Sequence, residues 1–538
     1  MGNVVANLNL ATYIRNLKIK ISRFESGREY KELKERIGVL VRENARLENK
    51  VLSQQKKYDY LFAKYKKSKI KNDDADEIYN EFERLLKEID RLEKENERLK
   101  KEKEESNKKL TESNQLSEAL RKQLNKDSSN SSIPSSFNKP NHKRRANEYN
   151  SREKSNHHVG GQLGHGHHPR KSLPPTSSIN LALTEEMKNN SNLIKTGKTI
   201  SKKLVDVEFC FKVTEYIADI YLDTITNKEV HAPFPSGVKD EIKYGTTIKT
   251  FIIWLSNYCN VSINKIQDLI SELSGGQVVP STGYINKLQT SFVKKASNDI
   301  VSIENSLILS NFLHVDLTAG NLNGKQVNVF NFTNKEKVLY TYSESKNKEA
   351  MKETILGKFV NALIHDHDTT FYSFGDREQH QECLSHILRY LTAAIEESPD
   401  LTWHKEMKNL FQEVIHKKKN NEFISYDETI SRFLSIIDNG LEEYKKYPPN
   451  KYETDGPKLL RRLAKYSKEN FLFLKNDLID YTNNCSERNL RKYKRKQKQA
   501  IVFRSSSSIE SICAFLSIVE TAKINGQSGF KAIQSIVA

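Results

Sequence analysis

Two apolar runs in this chain end in aspartate. Phe312-Leu313-His314-Val315-Asp316 closes one, and Phe359-Val360-Asn361-Ala362-Leu363-Ile364 leads through His365 into Asp366, with Asp368 two residues further on. Carboxylates at the ends of adjacent strands are held together by one rigid sheet, and hard divalent ions such as magnesium prefer such oxygen ligands. Either aspartate alone reads as ordinary turn chemistry, whereas the pair suggests a metal site. A third carboxylate, Glu487, stands in Asn483-Asn484-Cys485-Ser486-Glu487-Arg488-Asn489-Leu490-Arg491, which opens a basic helical segment reaching Lys498. Arg488, Arg491, Lys492, Lys494, Arg495 and Lys496 suit a DNA backbone held over the metals. A solvated helix face with Glu487 and Arg491 paired four residues apart accounts for the same composition without a ligand.

The elements that must position these groups are legible in part. The run 312–318, the turn Asn321-Leu322-Asn323-Gly324-Lys325 and the run 327–332 predict a β-hairpin. Upstream, residues 205–209 and 216–221 alternate as strands of a small module do. Ser262 fits the N-cap of a helix containing Ile263, Ile266, Leu269, Ile270 and Leu273; Ser274-Gly275-Gly276 ends it and Ser281 caps the next. In a helix-turn-helix of this layout, residues 282–292 would lie in a major groove with Asn286, Lys287 and Gln289 near base edges or phosphates. An ordinary helical pair in a scaffold fits the pattern equally well.

Further towards the N-terminus the pattern turns to heptads. Leu33, Ile37, Leu40, Asn44, Leu47 and Val51 form one series, and Ile78, Phe82, Leu85, Ile89, Leu92, Asn96 and Leu99 form a second, with Asn44 and Asn96 both at a positions. Residues 30–125 are therefore expected to form an oligomerisation coiled coil, the alternatives being a single solvated helix or an intramolecular hairpin. From Asp127 to Pro175 the sequence has too few apolar residues to bury a core and reads as a disordered basic linker. Its Lys143-Arg144-Arg145 and its Gly160-Gly161-Gln162-Leu163-Gly164-His165-Gly166-His167-His168 fit phosphate contact, while a structural zinc site is not expected without companion cysteines.

The charge of the whole chain agrees with such a partner. Its 87 Lys+Arg against 69 Asp+Glu in 538 residues give a net charge of +18, which favours a polyanion: nucleic acid first, an anionic membrane second. No apolar run approaches the roughly 18–20 residues that cross a bilayer, no secretory signal opens the chain, and Ala6 stands where a myristoylation signal wants Ser or Thr. An intracellular protein without a membrane partner is expected. Cys210, Cys259, Cys383, Cys485 and Cys513 are scattered and odd in number, as reduced thiols are.

From about His314 to the C-terminus the sequence resembles the transposases of insertion-sequence family 66, bacterial DDE enzymes. The resemblance rests on His314-Val315-Asp316-x-Thr318, on His365-Asp366-His367 with Phe371-Tyr372, and on His380-x-x-Cys383-x-x-His386-x-x-Arg389. It continues through Trp403 and Met407, Asn483-Asn484-x-x-Glu487-Arg488-Asn489-Leu490-Arg491, Phe503-Arg504-Ser505 and Glu520-Thr521-Ala522-Lys523-x-Asn525-Gly526. The coiled coil, the Asn130-Ser131-Ser132-Ile133-Pro134-Ser135-Ser136 segment and the 160–165 stretch look like the family's N-terminal half.

The resemblance implies a DNA transposase that cleaves and transfers the strands of an insertion sequence, with Asp316, Asp366 and Glu487 as catalytic and metal-binding residues. Asp368 is the competing second ligand, but the family pattern places the carboxylate directly after His365. It implies Mg2+ or Mn2+, two ions, DNA partners in the element ends and the target, a homo-oligomer, and a nucleoid-associated cytoplasmic location, and it leaves accessory element-encoded proteins open. The expected architecture is multidomain: a coiled coil over 1–126, the linker over 127–180, a strand module with a helix-turn-helix-like DNA-binding region over 181–300, and an α/β RNase-H-like DDE domain over 301–538. The separations 366 − 316 = 50 and 487 − 366 = 121 fit a mainly helical insertion at about 390–480.

Three positions depart from the family. Leu317 stands where it usually has Glu, Thr482 replaces the Asp that commonly precedes the paired Asn, and Cys210 alone remains where it carries zinc-finger cysteines, so no zinc finger is expected. Cys383 and His386 have metal-like spacing but lack further ligands in sequence, which favours a packed structural role. A catalytically inactive or repurposed transposase that only binds DNA is the alternative, with Leu317 and Thr482 as its arguments.

Overall fold

The computed structural model describes residues 28–68, 75–131, 173–235, 238 and 243–538. The linker motifs at 143–145 and 160–168 lie outside the described residues. Two compact units are present, Met1–Arg152 with Thr290–Ala538, and Glu153–Gln289.

The first unit opens with two long helices, α1 (Arg28–Ser68) and α2 (Ala75–Leu124), which pack along each other. Ion pairs from Arg36 to Glu102 (2.7 Å) and from Glu48 to Lys100 (3.1 Å) fix an antiparallel register. The short connection favours this outcome, because helices joined by few residues become antiparallel neighbours. Leu40, Leu85, Ile89, Leu92 and Leu99 are buried, so the two heptad series meet within one chain. Asn44 and Asn96 are buried as well, and neither side-chain oxygen has a hydrogen-bond partner. The end of the hairpin is fastened to residues 396–397 of the same unit: Lys122 donates to the Glu397 carbonyl (2.7 Å) and Asn130 to the Glu396 carboxylate (2.6 Å).

In the second unit, β1 (Ile220–Asp223) and β2 (Lys228–His231) form an antiparallel hairpin, with Asp223 accepting from the backbone N–H groups of Ile225 and Thr226 in the turn. Residues 205–209 form no strand. Alternation supplies a face but not a partner, and with no ladder beside them Val205, Val207 and Phe209 remain exposed. Helices α3 (Thr246–Asn257), α4 (Ile263–Leu273) and α5 (Thr282–Lys295) follow. Ser262 and Ser281 occupy the expected places: Ser262 is the N-cap of α4, and Ser281 Oγ accepts from the Tyr284 N–H (3.1 Å) ahead of α5. Gly275 and Gly276 adopt φ of 61° and 79° between the helices, a conformation that an L side chain resists.

After α6 (Ser297–Ile308) comes a five-stranded mixed sheet in the order β5-β4-β3-β6-β7. Strands β3 (Phe312–Leu322), β4 (Lys325–Thr333) and β5 (Val338–Ser343) are antiparallel neighbours, while β6 (Ala362–His365) and β7 (His380–Glu382) run parallel to β3. The β3–β4 turn is Asn323-Gly324 with φ of 49° and 84°, the positive pair that a two-residue hairpin of type I′ needs. Strand β6 begins at Ala362, later than the apolar run at 359, and all four of its residues are buried.

Helices α7 (Leu384–Glu397), α8 (Trp403–Lys419), α9 (Tyr426–Lys446) and α10 (Asp455–Lys465) share a core around Trp403, Met407, Phe411, Phe433 and Phe471, which abuts β6 through Ile364. Helix α11 (Asn484–Ala500) then returns across β3 and β4, where Tyr493 lies so near Gly320 that an added Cβ would sit 2.7 Å from its hydroxyl. Helix α12 (Ser506–Ile524) covers the free edge of β5: Ser517 Oγ accepts from the Tyr340 N–H (2.8 Å) and Thr521 Oγ1 from the Val338 N–H (3.0 Å). Capping these groups withdraws an edge that would otherwise invite pairing. Helix α13 (Gly529–Val537) closes the chain. Among the described residues no helix is long and apolar enough to cross a membrane.

Candidate active site

Parallel pairing of β3 with β6 sets Val315 opposite His365, so Asp316 and Asp366 lie side by side; Asp366 follows the end of β6 as expected, whereas Asp316 lies midway along β3, which runs on to Leu322 in its ladder with β4. Glu487 comes from the first turn of α11, whose entry Asn483 fixes. The Asn483 amide donates to the Val315 carbonyl (2.7 Å), its backbone N–H donates to Cys383 Sγ (3.2 Å), and its side-chain oxygen lies 3.2 Å from His314 Nδ1. One buried asparagine thus ties the start of α11 to the residue before Asp316.

Asp366 and Glu487 are close enough for their charges to act on Asp316. Burial pushes the Asp316 carboxyl well above the usual range, and the charges of Asp366 and Glu487 push it further, against the Leu317 N–H (2.7 Å) and His386, which favour the carboxylate. Glu487 is held by Arg491 (2.7 Å) and, more distantly, by Arg389 (3.7 Å). His386 Nδ1 lies 2.7 Å from Asp366 Oδ1 as an ion pair, and neither shielded atom has a hydrogen-bond partner. Burial opposes the charged form of His386, but Asp366 and Cys383 outweigh it and hold the imidazole well above its ordinary value.

Carboxylates gathered in this way are the kind of group that suits a hard divalent cation, and among the described residues Asp366 also stands within 4.8 Å of the ligand atoms of Cys383 and His386. Asp368 turns away from this cluster: its Oδ1 accepts from the Thr370 N–H (3.0 Å) and its Oδ2 lies 3.7 Å from Lys346.

One strand further along the sheet sits a second charged group, with Glu382 fully buried at the end of β7. Arg462 pairs with its Oε2, while His367 Nδ1 (2.6 Å) and the Tyr372 hydroxyl (2.5 Å) meet its Oε1. Burial alone would raise this carboxyl, but His367 and Arg462 bring it down to about 2. Beneath, His365 Nδ1 lies 2.6 Å from the Asp366 carbonyl and its Nε2 2.9 Å from His380 Nδ1. If His365 donates from Nδ1, then Nε2 accepts from His380, which fits the burial that holds His380 down at about 3.

The basic segment divides by face. Arg488, Arg491, Arg495 and Lys498 are exposed, at the steps of three and four that make one stripe along α11. Lys492 instead meets buried Glu520 (2.5 Å), Lys494 donates to the Ala319 carbonyl, and Lys496 donates to Gln499 (3.1 Å). Burial lowers both Lys494 and Lys496 to about 8. In the other unit, Asn286 and Lys287 are exposed on α5.

The Transposase IS66 family pattern matches residues 242–511, half of the chain, and so spans α3 to the start of α12. The chain belongs to that family. Against the curated proteins, no match is found. The matched stretch holds every residue named above in the carboxylate cluster, so this IS66-family transposase carries Asp316, Asp366 and Glu487 inside the family's own region.

Sequence reading missed His386 and Arg389 as neighbours of the carboxylates, although their separation of three residues after Cys383 puts them on one face at the start of a helix. It also missed Glu382, whose strand has only three residues and no apolar pattern. The five cysteines are free; Cys383 and Cys513 are buried and Cys210 and Cys259 exposed.

Proposed function

We propose that this protein is a DDE transposase with an RNase-H-like catalytic domain, and that Asp316, Asp366 and Glu487 act together in strand cleavage and strand transfer at the ends of an insertion sequence. The observation that supports this reading is the parallel β3–β6 register that sets Asp316 beside Asp366, with Glu487 entering from the first turn of α11 near enough for its charge to bear on Asp316. Magnesium or manganese, as two ions on these carboxylates, would supply an activated nucleophile and neutralise charge on the reacting phosphate.

The chain's own residues do the rest. The Leu317 N–H orients Asp316, and Arg389 and Arg491 orient Glu487. The stripe Arg488, Arg491, Arg495 and Lys498 runs from Glu487 along a DNA backbone, offsetting phosphate charge without reading bases. Asn286 and Lys287 contact the DNA from α5 in the manner of a recognition helix. In cleavage, water attacks phosphorus, and the bond to the 3′ oxygen breaks in line. In joining, that freed 3′-hydroxyl attacks a target phosphate and displaces a target 3′ oxygen.

Protomers would pair through their helical hairpins, where Val41, Leu52, Phe62 and Leu86 remain exposed. Sedimentation at working concentration checks this, and a monomer would remove it.

The test is nicking and joining on an oligonucleotide bearing the element's ends, with Mg2+ or Mn2+, comparing native protein with Asp366→Asn and Glu487→Gln. Products from native protein should fall by at least about 10³-fold in each variant. Equal activity in the variants would contradict the assignment. A native protein that binds the ends but yields no product, with accessory proteins supplied, would make it a DNA-binding relic.

A further inference from the structure

We propose that Asp366, Cys383 and His386 form a binding site for a thiophilic divalent cation of the zinc class, distinct in chemistry from a magnesium site. Their ligand atoms, a carboxylate oxygen, a thiol sulfur and an imidazole nitrogen, all lie within 4.8 Å of one another. Two come from the start of α7, where Cys383 is the N-cap and His386 follows in the first turn, and the third comes from the end of β6. The local C-x-x-H spacing thus gains its third ligand from another strand, which no linear motif displays.

Asp366 and His386 form a close ion pair with the Cys383 thiol beside it. His386 is nine-tenths buried, and its Nδ1 faces Asp366 Oδ1 at 2.7 Å without a hydrogen bond, both atoms shielded from water. Buried polar atoms are rarely left so. Cys383 Sγ accepts the Asn483 backbone N–H (3.2 Å), an outer contact of the kind that orients a ligand. Sulfur with nitrogen and one carboxylate oxygen is a donor set that zinc takes at about 2.0–2.3 Å, whereas magnesium avoids thiolate. Opening the Asp366–His386 separation to roughly 3.3 Å would admit such an ion, with a fourth position left to water. On the transposase reading, zinc here would withdraw Asp366 from the trio and oppose catalysis.

The experiment uses the full-length, metal-stripped protein titrated with Co2+ alone, a spectroscopic substitute for zinc, then with Zn2+ as competitor. The expected result is a cobalt–thiolate charge-transfer band saturating at one equivalent, bleached by Zn2+ and absent in Cys383→Ser. It should persist in Cys210→Ser and Cys259→Ser, and His386→Asn should weaken Co2+ binding by at least about 10-fold. No band in native protein, or a band that survives Cys383→Ser, overturns the site. If Cys383→Ser fails to fold, Asp366→Asn decides: an unchanged band and affinity overturns it, a loss of at least about 10-fold supports it. Because the readout is binding, a band without strand cleavage would defeat the transposase reading alone, and Mg2+-dependent cleavage without a band would defeat this proposal alone.

Discussion

Two clusters of charge sit on neighbouring strands of one sheet and are balanced in opposite ways. At the end of β7, Glu382 has arginine, histidine and tyrosine on its two oxygens and is held down at about 2. Midway along β3 and just past the end of β6, Asp316 and Asp366 lie side by side, and burial with the charges of Asp366 and Glu487 pushes Asp316 up. A fold that surrounds a buried carboxylate with cations at one strand end has set its neighbour Asp316 against other carboxylates. Such local destabilisation is common at functional sites, and the contrast within a single sheet supports the proposed assignment.

The largest expected effect falls on the balanced cluster. Glu382→Gln should cost about 3–5 kcal/mol in chemical denaturation, because it leaves the Arg462 guanidinium without its buried counter-charge. The pH dependence has a definite sign: with the folded carboxyl near 2 and the unfolded one near its ordinary value of 4.5, the stabilisation is complete above 4.5 and lost as pH falls towards 2. A native protein whose acid unfolding matched that of the variant would break the comparison.

A smaller effect of the same kind is expected along α11. Lys492→Gln should destabilise by about 1–3 kcal/mol through the buried Glu520 it leaves unpaired, with little change in the salt dependence of DNA binding. Arg488→Gln and Arg495→Gln should leave unfolding within about 0.5 kcal/mol of native but each reduce the slope of log K against log salt by about 0.9. Equal effects from both kinds of substitution would show that the inward and outward faces do not divide the labour. A comparably small effect on stability is expected at Arg389, where Arg389→Gln should cost less than about 0.5 kcal/mol, since its 3.7 Å approach to Glu487 is loose and Arg491 remains.

What the sequence could disclose follows the range of the interactions involved. The β3–β4 hairpin was legible because Asn323-Gly324 is local chemistry, and Asp316 and Asp366 because each closes an apolar run. The division of the basic segment was also within reach: Leu490, Tyr493 and Gln497 mark the buried face, which leaves residues 488, 491, 495 and 498 outside. By contrast, β7 is too short and polar to signal itself, and Glu382 acquires its meaning from Arg462, eighty residues away along the chain. The heptads of α1 and α2 specified apolar seams but not whether those seams meet a second chain or each other. The strand expected at 205–209 fails for a related reason, since alternation does not create a neighbouring ladder.

The most direct test of the unbalanced cluster is the unfolding free energy of native protein and Asp316→Asn, each measured without metal and then with magnesium. The substitution keeps an oxygen for the Leu317 N–H and removes one of the repelling charges. Relief of that repulsion predicts a variant at least as stable as native without metal, and a magnesium-induced gain in the native protein that the variant loses. A variant less stable than native without metal, with the same gain on adding magnesium, would contradict the account.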